Sequence, residues 1–304
     1  MGSVIKVTNL HKRYKEHYAV RGVSFEVEKG EIFGILGPNG AGKTTTIEML
    51  EGLRPRDEGE IEILGIDPDQ DPYGLRQLIG IQFQSTSIQD RMKVGEALRL
   101  FASFYKRKAD MDHIVEKLGL KEYLNNSFES LSGGWKQRLT LALALLHDPD
   151  IVFLDEPSTG LDPKARRDLW NLILEVKGRG KTIVLTTHYM EEAEQLCDRI
   201  AMFRHGELVA LDTPMELKKQ LTASQVLMFS SREAEESMIV PLPSVEKVEV
   251  EEMDYKVYSD NLQQTTLHLL QQAEREGWKI EGLRFAQATL DDLFLDIEAE
   301  EEIS

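Results

Sequence analysis

Ile32-Phe33-Gly34-Ile35-Leu36-Gly37-Pro38-Asn39-Gly40-Ala41-Gly42-Lys43-Thr44 decides the fold class. An apolar run of strand length, residues 32–36, feeds straight into G-x-x-x-x-G-K-T, and a helical pattern follows over residues 45–50. That strand, loop and helix context gives the motif its meaning. Glycines let backbone N–H groups turn inward around phosphate oxygens, and the helix start adds its partial positive charge. Lys43 is then placed to reach the β- and γ-phosphates of a nucleotide, and the Thr44 hydroxyl to ligate Mg²⁺. A glycine-rich turn without a ligand is the bland alternative, and a second motif argues against it.

The second motif is an apolar run, residues 151–154, that ends in Asp155-Glu156. A buried parallel strand delivers its last residues to the crevice at the carboxyl edge of the sheet, where the phosphates lie. Asp155 is expected to hold Mg²⁺ through water. Glu156, one residue on, points elsewhere and can polarise the attacking water. Alone, the pair reads equally as a solvated acidic turn; coupled to the glycine-rich loop, it reads as the catalytic edge of a nucleoside triphosphatase.

A third segment narrows the class. Leu131-Ser132-Gly133-Gly134-Trp135-Lys136-Gln137-Arg138 opens a strongly helical run. A serine and two glycines at a helix start form a second anion-binding nest, and one chain has no use for two nests on the same phosphate. The second nest is therefore expected to serve a nucleotide held by another subunit.

With these residues in view, the sequence resembles the ATP-binding cassette (ABC) ATPases, whose signature reads L-S-G-G-Q. The resemblance covers about residues 3–220, with the motifs in the family's order and spacing. It implies two cassettes that clamp two ATP molecules head to tail, each signature facing the partner's glycine-rich loop. Residue by residue, it implies that Gly37, Pro38, Asn39, Gly40, Ala41, Gly42, Lys43, Thr44 and Thr45 cradle the phosphates of ATP. Ser132, Gly133 and Gly134 would take the γ-phosphate bound by the other chain.

The resemblance also implies that Tyr14 stacks on adenine and that Asp162, in Leu161-Asp162, runs between the subunits. It implies that His188 contacts the γ-phosphate. Gln84 would touch Mg²⁺ and the attacking water and begin the segment that senses a membrane partner; Gln82, inside the strand, is the weaker choice. The implied catalytic set is Glu156, His188, Gln84 and Lys43, and the metal set is Thr44, Gln84 and Asp155. His11, His17, His113, His147, His205 and His268 read as structural. Trp135 departs from the pattern, standing where the family has Gln, and leaves the phosphate contacts of Ser132 and the two glycines intact.

Composition bounds the partners. With 36 Lys+Arg against 53 Asp+Glu, a net charge of −17 disfavours binding to nucleic acid or to an anionic membrane surface. The single Cys197 fits a reducing compartment. The longest strongly apolar uncharged stretch, residues 139–146, is far short of the roughly 20 residues a spanning helix needs.

The charge is unevenly placed: residues 1–220 hold 30 basic and 34 acidic groups, residues 221–304 only 6 and 19. The break, over residues 213–224, is read as a linker between an ATP-binding domain, 1–220, and a small acidic accessory domain, 225–304. In the larger part, strand-like runs at 32–36, 79–83, 151–154 and 182–186 alternate with helical patterns, which predicts an α/β fold with a mainly parallel sheet. The resemblance makes this a P-loop ABC ATPase domain. It adds a helical subdomain, containing residues 85–105, that receives short cytoplasmic helices of a transmembrane partner. The smaller part reads as α+β, with strand-like runs at 226–229, 245–258 and 278–285 and helices at 261–277 and 289–300.

Near the end, Ala288-Thr289-Leu290-Asp291-Asp292-Leu293-Phe294-Leu295 resembles the A-T-L-E-D-V-F-L ending of drug-resistance exporter ATPases. Thr289 as N-cap with Asp292 in the capping-box position explains the same residues structurally. The expectation is an ATP-hydrolysing subunit of an exporter on the cytoplasmic face of the cell membrane, paired with an identical cassette and a separate permease, with no nucleic acid. A soluble ABC ATPase acting on ribosomes or DNA is the alternative. It calls for two cassettes in one chain or a long coiled-coil insertion, and only 87 positions separate Thr44 from Leu131.

Overall fold

The structure, a computed structural model, describes residues 2–15, 17–83, 88–220 and 225–286. Two long strands come first, β1 (Ser3–Tyr14) and β2 (His17–Glu28), each alternating buried apolar with exposed polar residues as a half-buried antiparallel pair does. There follow β3 (Ile32–Leu36), α1 (Lys43–Leu50), β4 (Glu58–Ile63), α2 (Pro72–Arg76) and β5 (Ile79–Gln82). Between β5 and β6 (Ile151–Asp155) the described residues form helices: α3 (Val94–Ala102), α4 (Met111–Lys117) and α5 (Gly133–Leu145), with two short 3₁₀ turns. Then come α6 (Pro163–Gly178), β7 (Thr182–Thr187), α7 (Met190–Leu196), β8 (Arg199–Arg204) and β9 (Glu207–Asp212).

β1 pairs antiparallel with both β2 and β4, in a three-stranded sheet ordered β2-β1-β4. A second sheet of six strands runs β5-β6-β7-β3-β8-β9, parallel except for β9. Its strands β3, β6 and β7 are buried at every position, which is why they read as continuous apolar runs. One core joins the two sheets. It includes Ile5, Val7 and Leu10 of β1, Phe25 of β2 and Phe33 of β3, the two phenylalanine rings stacking at 5.1 Å.

This order places the functional edge. β3 lies beside β7 and β7 beside β6, with Leu36 opposite Thr187 and Asp155 opposite Thr186. The glycine-rich loop, the acidic pair and the residue after β7 therefore leave the sheet at one end.

The chain divides into two compact units, Met1–Thr213 and Pro214–Ser304. In the second, α8 (Pro214–Gln220), β10 (Gln225–Ser230) and α9 (Glu236–Ile239) precede β11 (Val245–Glu251) and β12 (Asp254–Ser259). α10 (Leu262–Glu276) and β13 (Glu281–Ala286) follow among its described residues. The strands form an antiparallel sheet ordered β11-β12-β10-β13, and Leu227, Phe229, Tyr255 and Val257 build a core with Leu269, Ala273 and Trp278. α10 is bounded by Asn261, whose side chain accepts from Gln264 N, and by left-handed Gly277.

Three readings of the sequence need correction. The stretch taken as a linker carries α8, so the compact boundary precedes this helix instead of following residue 220. The run 245–258 is two strands with a turn at Glu252, whose φ is 54°, because alternation alone does not mark a reversal that lacks Gly or Pro. The three-stranded sheet of β1, β2 and β4 went unread among the parallel strand runs. The helix at 289–300 lies outside the described residues.

Candidate nucleotide-binding site

The glycine-rich loop is shaped by close backbone approach. Gly42, the N-cap of α1, has φ 101°, and a Cβ there would stand 2.2 Å from Ala19 O. A Cβ on Gly37 would stand 2.3 Å from Phe203 O. No other residue fits at either position without moving β2 or β8.

Lys43, first residue of α1, is buried and folds back on the loop. Its Nζ donates to Gly37 O at 2.8 Å and to Pro38 O at 3.0 Å, and lies 3.9 Å from Glu156 Oε1. Burial holds its pKa below the usual lysine value, against the opposing pull of Glu156 and Asp155. Thr44 is exposed, Thr45 half-buried, and neither hydroxyl hydrogen-bonds within the described residues.

At the end of β6 the two carboxylates part. Asp155 accepts a short hydrogen bond from Thr186 Oγ1 on β7; burial raises its pKa, and that bond opposes the rise. Glu156 turns out of the strand with φ 46°, a left-handed conformation unusual for a glutamate and costing on the order of 1–3 kcal/mol. Thr186 holds it there, since Glu156 N donates to Thr186 Oγ1 at 3.0 Å and to Thr186 O at 3.2 Å.

The Glu156 carboxylate meets His188 as well as Lys43. His188 Nδ1 approaches Oε1 to 3.3 Å, a close polar contact that is not aligned as a hydrogen bond, and Thr159 Oγ1 donates to Oε2 at 3.1 Å. Lys43, Asp155, Glu156 and His188 thus converge on one sheet edge, with Thr186 between them. Sequence reasoning missed Thr186 and Thr159. The only signal for Thr186 was a hydroxyl two positions before His188, which means nothing until β7 is known to flank β6.

The signature residues lie elsewhere in the chain. Ser132 is the N-cap of α5 in extended conformation, exposed, with no capping hydrogen bond from its side chain. A shallow depression gathers Ser132, Gly133 and Gly134 with Gly160, Leu161 and Asp162, and none of residues 37–45 lines it. Asp162 Oδ1 accepts from Lys164 N and Ala165 N, both at 3.0 Å, and so caps α6. Trp135 packs within the helical region: its ring lies 4.0 Å from Tyr123 and 4.9 Å from Arg138 Cζ.

Tyr14 ends β1, partly exposed, with Arg54 Cζ 5.3 Å from its ring; Arg54 is held in turn by Glu48 of α1 at 2.6 Å. Gln84 lies outside the described residues.

A profile of the ABC transporter family matches residues 20–159. The linearmycin resistance ATP-binding protein of Bacillus subtilis (strain 168) is 32% identical over 97% of this chain and 98% of its own. A Nod factor export ATP-binding protein of Rhizobium etli is 35% identical over 98% and 94%. Among solved structures, a dimeric ATP-binding cassette in a post-hydrolysis state bound to ADP and Pi superimposes with a TM-score of 0.61 and 26% identity, covering 69% of this chain and 98% of that one. These matches favour a transporter ATPase over one acting on ribosomes or DNA. With the phosphate loop, the acidic strand end and the separate serine-glycine nest in place, and with relatives aligned over nearly its whole length, the chain belongs to the ABC transporter family as an ATP-binding subunit, the ATPase that powers transport.

Proposed function

We propose that this subunit drives export, working at the cytoplasmic face of the cell membrane beside a separate permease and paired head to tail with an identical cassette. The direction rests on the relatives, one named for export and one for resistance. No helix among the described residues is long and apolar enough to cross a membrane, so attachment would come through the partner.

The convergence of Lys43, Asp155, Glu156 and His188 carries the hydrolytic reading. Lys43 would exchange the Gly37 and Pro38 carbonyls for the β- and γ-phosphates of ATP, a stronger, charge-assisted contact. Glu156 would hydrogen-bond the attacking water and take its proton as oxygen bonds to the γ-phosphorus and the bond to the β–γ bridging oxygen breaks. His188 and Lys43 would face the charge that develops there.

Oxygen donors suit Mg²⁺: the Thr44 hydroxyl is exposed and the Asp155 carboxylate is held in place by Thr186. Thr44, Asp155 and Gln84 would hold it. When bound, it would neutralise charge on the phosphate oxygens.

The nest at Ser132, Gly133 and Gly134 supports a two-chain site, because its serine hydroxyl is exposed and its depression excludes the glycine-rich loop of the same chain. Asp162, in that depression, would lie at the junction, and Tyr14 would stack on adenine. We assign the unit of residues 1–213 to the catalytic cassette and that of residues 214–304 to an accessory domain. The helical subdomain containing residues 85–105 would receive the cytoplasmic helices of the permease.

The Glu156→Gln variant tests the assignment. With ATP and Mg²⁺ it should hydrolyse at least about a hundredfold more slowly and accumulate as an ATP-bound dimer in light scattering. A monomer that hydrolyses at the normal rate would refute the role given to Glu156.

A further inference from the structure

One buried carboxyl takes no part in the roles given above. Glu192, on α7, has no exposed surface. Its Oε1 accepts two hydrogen bonds, a short one from Ser158 Oγ and one from Trp170 Nε1 at 2.9 Å. Trp170 Nε1 also reaches Ser158 Oγ at 3.1 Å, so the three side chains close a triangle. Oε2 is buried and has no hydrogen-bond partner.

Packing alone does not account for this arrangement. A carboxyl taken out of water with one oxygen unmet costs stability, and an apolar side chain of similar volume would fill the space without that cost. Ser158 and Trp170 would still hydrogen-bond each other. What Glu192 adds is one acceptor oxygen to which two other segments are tied.

Both segments carry parts of the site. Ser158, itself fully buried, lies in the loop between β6 and α6. Next to it, Thr159 N donates to Glu156 O at 3.2 Å and Thr159 Oγ1 donates to the Glu156 carboxylate. Leu161 N donates to Ser158 O at 3.2 Å, and Leu161 and Asp162 line the depression that gathers Ser132, Gly133 and Gly134. Trp170 belongs to α6, the helix that Asp162 caps. α7 in turn follows His188, whose ring packs against Tyr189 at 4.1 Å, and Arg166 of α6 lies over Tyr189 at 4.7 Å.

Resting on the roles given above to Glu156 and to the two-chain site, we propose that Glu192 is a positioning residue for hydrolysis. Its Oε1 fastens the loop of residues 156–162 to α7. Glu156 then meets His188 at a fixed spacing, and Leu161 and Asp162 hold the face offered to the second chain. The acceptor matters here, not the charge, because both partners of Oε1 are neutral donors.

The full chain carrying Glu192→Gln or Glu192→Met tests this. Gln keeps an acceptor for both donors and should hold kcat within about twofold of native. Met fills the space without accepting, and should lower kcat about tenfold while the KM for ATP stays within about twofold. The Met variant should melt within about 5 °C of native, because the burial cost leaves with the hydrogen bonds. Ser158→Ala should lower kcat by a similar factor, and adding it to Glu192→Met should lower it no further. Native kcat in Glu192→Met, or equal losses in the Gln and Met variants, overturns the proposal. If Glu192→Met fails to fold, native kcat in Ser158→Ala overturns it alone. Glu156→Gln, measured alongside, separates the two readings. Slow hydrolysis there with a native rate in Glu192→Met rejects only the tie, whereas native hydrolysis in Glu156→Gln removes the role on which the tie depends.

Discussion

His147 shows how much a single side chain can hide from its sequence. It has no exposed surface, stacks on Tyr105 at 3.8 Å with rings 4° from parallel, and donates from Nε2 to Ile79 O at 2.9 Å. Nδ1 is buried and has no partner. Burial pushes its pKa down to about 4, so the folded protein refuses a proton that the unfolded chain takes up near pH 6.5. The stability this contributes is complete above pH 6.5 and lost as pH falls towards 4, a term on the order of 3 kcal/mol. Urea unfolding at pH 7 and pH 4.5 should show a larger acid loss for the native chain than for His147→Gln; parallel losses would contradict the assignment. Reading this histidine as structural was correct in kind, but its neutrality was invisible. The same holds at Glu156: its identity came from the motif, while its left-handed backbone came from Thr186, thirty positions away.

Among the elements, α6 illustrates two demands on one residue. Asp162 caps it with two hydrogen bonds and also lies in the signature depression. Replacing it with Asn preserves an acceptor, so stability should hold to within a few tenths of a kcal/mol, whereas Ala should cost about 1 kcal/mol. If the carboxylate also serves the junction between subunits, Asn and Ala should depress ATP hydrolysis alike. Asn with native hydrolysis would leave Asp162 only its cap. Melting curves and steady-state rates of the two variants separate the roles. The buried strands β3, β6 and β7 were legible because apolar runs of strand length ended in motif residues. The β1–β2–β4 sheet was not, because its strands carry polar residues at alternate positions and register shifts that interrupt the period. A short helix such as α8 was obscured by the Pro at its first position, which reads as a break from one side and as a helix start from the other.

At the scale of the whole molecule, each compact unit has its own core, from β1 to β9 in one and around Phe229 and Trp278 in the other. Removing residues 225–304 should leave a folded cassette that binds ATP with affinity within about twofold of the full chain, since none of the site residues lies beyond His188. Calorimetric titration of the truncated protein checks this, and a folded fragment that no longer binds nucleotide would refute the division.

By itself, the sequence determined the chemistry. A phosphate loop is a run of consecutive backbone amides, and the carboxylate expected to act on water ends an apolar run of strand length, so both are written in adjacent residues. The serine and glycines at the start of α5 belong to the same kind, and they were enough to imply a second chain. Tertiary structure alone decided what depends on strands meeting across long separations. It set the order β6-β7-β3 that puts Thr186 between Asp155 and Glu156, and it set the signature in a depression that none of residues 37–45 lines. Those pairings depend on which side chains are desolvated together, and desolvation is a property of the packed fold, which no local window of residues contains.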